Sequence, residues 1–294
     1  VKMTIDVDKI GSVLNDGNAR MSERFRALFM LKNIGGKTAI DYILNCLGGE
    51  SDLLNHELAY VLGQINKDYA LPKLSELVRS REVSTITRHE AAEAIGSIGN
   101  IESLALLLEF SNDPDVIVAE TCQLAVDRIR WLSSNEYDEA LVKNPFNTVD
   151  PSPASTSTNT HELTKVFLDS KATLFDRYRA MFSLRNLNTD DAAKTLTKGF
   201  ECPGSVLFQH EVAYVLGQMQ KSVVVPELSA QLLNLNINPI IRHECAEALG
   251  GIANEDCRKV LEEFRNDKSR VVRESCEVAL DMLDYENSDE FQYS

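Results

Sequence analysis

Apolar residues recur along this chain at three- and four-residue intervals, as at Leu58, Val61, Leu62 and Ile65, and no stretch alternates convincingly with period two. That spacing puts one apolar stripe on a helix, so the pattern predicts an all-α protein. In the first half the stripes predict helices over 6–15, 21–33, 37–47, 54–65, 70–79, 85–98, 101–110 and 115–132. Gly, Asn, Asp and Pro punctuate the joints, as in Gly35-Gly36, Gly48-Gly49 and Asn112-Asp113-Pro114. Taken in pairs, these helices form four hairpins with a period of 31–33 residues. Such a period belongs to stacked units, each burying its apolar face on the next.

The pattern stops at 144–160, NPFNTVDPSPASTSTNT, where Pro, Ser, Thr and Asn replace apolar periodicity. We read this stretch as a flexible linker. Beyond it the first half is repeated: RFRALFMLKN (24–33) returns as RYRAMFSLRN (177–186), and NHELAYVLGQ (55–64) as QHEVAYVLGQ (209–218). TRHEAAEAIGSI (87–98) returns as IRHECAEALGGI (241–252), and 113–129 corresponds to 267–283. The small-residue pattern of 87–98 is similar to that of HEAT repeats. The predicted organisation is therefore a HEAT-like four-repeat half over 1–143, the linker over 144–160, a second four-repeat half over 161–284, and an acidic, frayed tail over 285–294. The two halves would form a pair of α-solenoids.

Composition narrows the function. With 45 acidic against 30 basic residues the net charge is −15, which repels nucleic-acid phosphates and attracts a basic partner or an amine. No apolar run approaches the roughly 20 residues of a membrane span, and the N-terminus has no signal-like apolar core. The six cysteines form no CxxC pair and several fall inside helical stripes, so they read as reduced, buried thiols. These features predict a cytoplasmic protein without nucleic-acid or membrane partners.

Four of the five histidines stand in one recurring dipeptide: His56-Glu57, His89-Glu90, His210-Glu211 and His243-Glu244. Within each half the pairs are 33 residues apart, and corresponding pairs are 154 apart. The outer repeats lack them, having Phe25-Arg26, Ala119-Glu120 and Tyr178-Arg179 instead. A mere repeat consensus would not be confined to inner units. Each pair lies near a helix start, where the helix field favours neutral imidazole and ionised carboxylate, the states a metal requires. Helices in a stack lie about 10 Å apart, so equivalent histidines of neighbouring units can meet on one ion. The donor set lacks cysteine and fits non-haem iron, with dizinc and dimanganese left open. A dinuclear site between the two halves follows, with every ligand from one chain, which favours a monomer. Gly63, Gly96, Gly217 and Gly250, seven residues after each His, suggest either close helix approach or repeat consensus. Glu93 and Glu247, four residues after a His, are candidates to orient it. His161 has no such partner and is expected at the surface.

Four His-Glu pairs at this spacing, with the strings NHELAYVLGQ and RHEAAEAIG, closely resemble the deoxyhypusine hydroxylase family across essentially the whole chain. The resemblance implies a di-iron monooxygenase with O2 as co-substrate. Its substrate would be the deoxyhypusine side chain on translation initiation factor 5A. It further implies one iron held by His56, His89 and Glu90 and the other by His210, His243 and Glu244. Glu57 and Glu211 would be the catalytic, substrate-binding carboxylates that receive the cationic amines. The residues alone do not separate Glu90 from Glu57; that division comes from the family. Two other classes remain open: a metal-free HEAT-like scaffold, and a lyase of the bilin-attaching type.

Overall fold

The boundaries of the helices are set by side-chain caps and by left-handed stops. The computed structural model describes residues 6–287, and among them it contains helices and no strand. The first four hairpins are α1 (Val7–Asn15) with α2 (Met21–Ile34), α3 (Gly36–Cys46) with α4 (Asp52–Ile65), α5 (Leu71–Arg79) with α6 (Thr85–Ile98), and α7 (Leu104–Phe110) with α8 (Val116–Leu132). Ser51 caps α4 by accepting from the Leu54 amide, and Asp115 caps α8 through the Ile117 amide. Asn66 and Gly99 end α4 and α6 in the left-handed conformation, which breaks the helix after its last apolar turn.

After the short α9 (Glu139–Val142) the order repeats. It runs α10 (Thr160–Leu168) with α11 (Leu174–Leu187), α12 (Asp190–Thr197) with α13 (Val206–Met219), α14 (Val225–Leu233) with α15 (Pro239–Ile252), and α16 (Glu255–Phe264) with α17 (Arg270–Glu286). Within each half the second helices pack in succession: α2 on α4, α4 on α6, α6 on α8, and likewise α11 on α13, α13 on α15, α15 on α17. The chain is thus an all-α helical-hairpin repeat protein.

Glycine sets the spacing of these inner helices. A Cβ at Gly63 would lie 2.9 Å from Ala94 Cα, and one at Gly96 2.7 Å from Ala125 Cβ. Gly217 and Gly250 meet Ala248 and Ala279 at 2.9 and 2.7 Å in the same way. Of the two readings these glycines allowed, close backbone approach is the one observed. Helix propensity is given up so that consecutive inner helices can touch.

Contacts divide the chain into one unit of 1–139 with 148–151, and another of 140–147 with 152–294. The stretch read as a linker carries specific contacts within each unit. In the first, the Gln64 side-chain amide both donates to the Val149 carbonyl and accepts from its N–H, each at 2.9 Å. Arg128 Nε donates to the Asp150 carbonyl at 2.8 Å. In the second, the Ser155 amide donates to Ser183 Oγ, and the Arg185 guanidinium lies 4.8 Å from the Phe146 ring centroid. All six cysteines are buried and free. His161 is exposed, as expected. Residues 288–294 of the expected tail lie outside the described residues, and α17 continues to Glu286.

Candidate metal centre

Each of the four histidines is the fifth residue of its helix: His56 on α4, His89 on α6, His210 on α13 and His243 on α15. Because α4 packs on α6 and α13 on α15, equal positions on neighbouring helices bring the rings together. The His56 and His89 centroids are 5.4 Å apart, and so are those of His210 and His243. All four histidines and Glu57, Glu90, Glu211 and Glu244 are buried.

In the first half His56 is held from both sides. Its Nε2 is 3.2 Å from Glu90 Oε2, and its Nδ1 is 3.2 Å from Glu57 Oε1. Burial by itself pulls the imidazole pKa down; the Glu90 and Glu57 carboxylates outweigh it and hold His56 well above the ordinary imidazole value. A buried pocket that draws a proton onto imidazole draws a cation in general, since unpaired buried carboxylates are costly. Ligand atoms of His56, His89 and Glu90 all lie within 4.8 Å of one another. Donors about 2.1 Å from a common ion stand roughly 3–4 Å apart, so this trio stands within about an ångström of the spacing that one ion requires. Glu57 sits on the other ring nitrogen, where a carboxylate fixes the tautomer and orientation of a ligating imidazole.

In the second half His210 Nε2 is 3.2 Å from Glu244 Oε2, repeating the His56–Glu90 contact. The carboxylate on an Nδ1 differs, however. Glu247 Oε1 lies 3.3 Å from His243 Nδ1 and accepts from Ser275 Oγ at 2.9 Å. His243, Glu244 and Glu247 form the compact trio here. Thr121, the counterpart of Ser275, instead donates to the Ile117 carbonyl of its own helix. Glu211, expected to correspond to Glu57, is buried on α13 directly after His210.

One set of supporting residues was not anticipated from the sequence. Arg88, just before His89, donates through Nε and Nη2 to the Val78 carbonyl at 3.1 and 2.9 Å. Its Nη2 also meets Asp113 Oδ2 at 2.7 Å. Arg242, just before His243, does the same with the Leu232 carbonyl at 2.9 Å and Asp267 Oδ2 at 2.6 Å. Arg24 and Arg177 reach the Leu14 and Phe167 carbonyls, again ten residues back. The recurring Arg before Phe25, His89, Tyr178 and His243 was a visible signal, but its function depends on carbonyls and carboxylates brought near only by folding.

The fold and these clusters define a class: a helical-hairpin repeat protein whose inner helices carry buried His-Glu sets of metal-ligand composition. A family model described as HEAT repeats matches residues 40–127. The chain is 50% identical to a deoxyhypusine hydroxylase of Drosophila pseudoobscura pseudoobscura, over 98% of this chain and 95% of the relative. It is 47% identical to the human deoxyhypusine hydroxylase over the same shares. The solved structure of the human enzyme in complex with glycerol superimposes with a TM-score of 0.92 at 47% identity, covering 95% of this chain and 96% of that one. The chain belongs to the deoxyhypusine hydroxylase family. No helix among the described residues is long and apolar enough to cross a membrane.

Proposed function

We propose that this protein is a cytoplasmic deoxyhypusine monooxygenase. It hydroxylates the aminobutyl-extended lysine of translation initiation factor 5A, with O2 as co-substrate and two irons as cofactor. The observation that carries the reading is the buried His-Glu set in each half, with a His–Glu contact of 3.2 Å in both. His56, His89 and Glu90 would hold one iron, and His210, His243 and Glu244 the other. When bound, reduced iron supplies open coordination positions and the electrons that activate O2.

The chain's own residues do the rest. Glu57 commits Oε1 to His56 and keeps a second oxygen, with its lone pairs, for an ammonium donor. Glu57 and Glu211 are buried, so a substrate ammonium that meets them is attracted more strongly than it would be in water. Each carboxylate offers a partner to an amine that would otherwise lose its hydration unpaired. The net charge of −15 speeds encounter with a basic, lysine-bearing loop.

The test is metal analysis joined to a mass assay on deoxyhypusine-bearing substrate protein. The purified chain should take up about two irons, as dinuclear carboxylate proteins do, and add one oxygen atom to the substrate. His56→Ala should bind less iron and lose the oxygen addition. A chain that takes up no iron after anaerobic Fe(II) loading, and leaves the substrate mass unchanged, would sink the reading and leave a metal-free scaffold.

A further inference from the structure

The duplicated halves differ at one cationic position near the proposed substrate carboxylates. Lys32, close to the end of α2, corresponds to Arg185 on α11. Arg185 is fully buried and locked. It donates to Asn186 Oδ1 and Gln218 Oε1 at 2.8 Å, and lies 4.6 Å from the Phe182 ring centroid. Lys32 is half-buried. Its ammonium stands 5.6 Å from the Tyr60 ring centroid and 5.8 Å from that of Phe29. Tyr60 follows Glu57 by three residues on α4, so the ring and the carboxylate are neighbours on one helix surface. Phe29 is 37% exposed, which leaves the rim open to solvent.

Two aromatic faces beside a carboxylate are the elements that recognise an alkylammonium group. Burial pulls the Lys32 pKa down and the Glu57 charge only partly offsets it, so this ammonium is weakly compensated where it stands. We infer that Phe29, Tyr60 and Glu57 form an ammonium-binding corner, filled by Lys32 in the free protein and taken over by the terminal ammonium of the substrate side chain. The inference rests on the reading that Glu57 receives a substrate amine. Lys32 then acts as a specificity-determining residue, because a ligand enters only if it brings a cation to replace the one it displaces. The locked guanidinium of Arg185 gives the second half no equivalent.

The experiment is calorimetric titration of the full chain with 1,4-diaminobutane, a probe that requires no turnover. Lys32→Met should bind it about tenfold more tightly than the wild type, since the internal competitor is gone. Lys32→Arg, which keeps the charge, should stay within about twofold of the wild type. The gain should vanish when Lys32→Met is combined with Glu57→Gln. Equal or weaker binding by Lys32→Met, or identical shifts in both single variants, overturns the proposal. Failure of the wild type to hydroxylate the protein substrate would remove the functional reading separately, since diamine binding is measured without it.

Discussion

Removing Arg88 should cost more than any other single substitution near the first His-Glu set. Asp113 is inaccessible at its side chain and Arg88 is only 5% exposed, so the 2.7 Å pair between them is a buried one. The Asp115 amide also donates to Asp113 Oδ1, at 2.9 Å. Arg88→Met leaves that buried carboxylate only the exposed Arg81, 3.8 Å away, as a cation, and breaking the buried pair costs about 3–5 kcal/mol. Against a total stability of about 5–15 kcal/mol this is a large fraction. With an m value of about 2 kcal/mol/M, the urea midpoint of the first half should fall by roughly 2 M. Hydrogen exchange on α6 amides assigns that transition to the correct half. The double variant Arg88→Met/Asp113→Leu should recover much of the loss, because an apolar pair has no stranded charge. The hydrogen bond from Arg88 holds the Asp113 carboxyl below the usual carboxylate range, against the upward pull of burial. The pair's contribution is therefore complete above the unfolded pKa of about 3.9 and is lost as pH falls through the folded value. Asp113→Asn should accordingly show a shallower acid limb than the wild type below about pH 4. A loss under about 1 kcal/mol in Arg88→Met, or superimposable acid limbs, would refute this account.

Three further outcomes are expected. Ala253 ends α15 at φ 57°, where the first half has Gly99 at φ 76°; Ala253→Gly should raise stability by about 1 kcal/mol in chemical denaturation. Gly250→Ala should destabilise by about 1–3 kcal/mol despite its better helix propensity, because the new Cβ would stand 2.7 Å from Ala279; a rise in melting temperature would contradict the close approach of α15 and α17. Glu247→Gln should weaken metal uptake by the second half about tenfold in a competition titration with a chelator, since Glu247 faces His243 Nδ1 at 3.3 Å; unchanged affinity would show that this contact does not orient the ring.

The helices were legible because their evidence is local. Apolar spacing placed 85–98 and 21–33 within a residue of α6 and α2. At 101–110 the expected helix begins with a 3-10 turn at Ile101–Ser103, a distinction of hydrogen-bond pattern that apolar spacing does not carry. The histidines were legible because a repeated dipeptide on equivalent helices must converge when the helices stack. The pairing of carboxylates with ring nitrogens was not. Glu57 and Glu90 each follow a His directly, yet one reaches Nδ1 of His56 and the other reaches Nε2 from the next helix. The Arg88–Asp113 pair spans 25 residues and exists only after α6 and α8 have packed. Repeat symmetry also misleads where the halves have diverged, as with Ser275 and Thr121.

The Gln64 contact says something about how the joining segment can change over time. It grips both the N–H and the C=O of Val149, so it reads main chain and is blind to the side chain at that position. Residue identity around 149 is thereby free to drift while the path of the chain stays pinned. The constraint is transferred to residue 64, whose side-chain amide offers donor and acceptor together. Glutamate lacks the donor and lysine the acceptor. A connector can thus be anchored through its main chain, with the memory of its position stored elsewhere in the sequence.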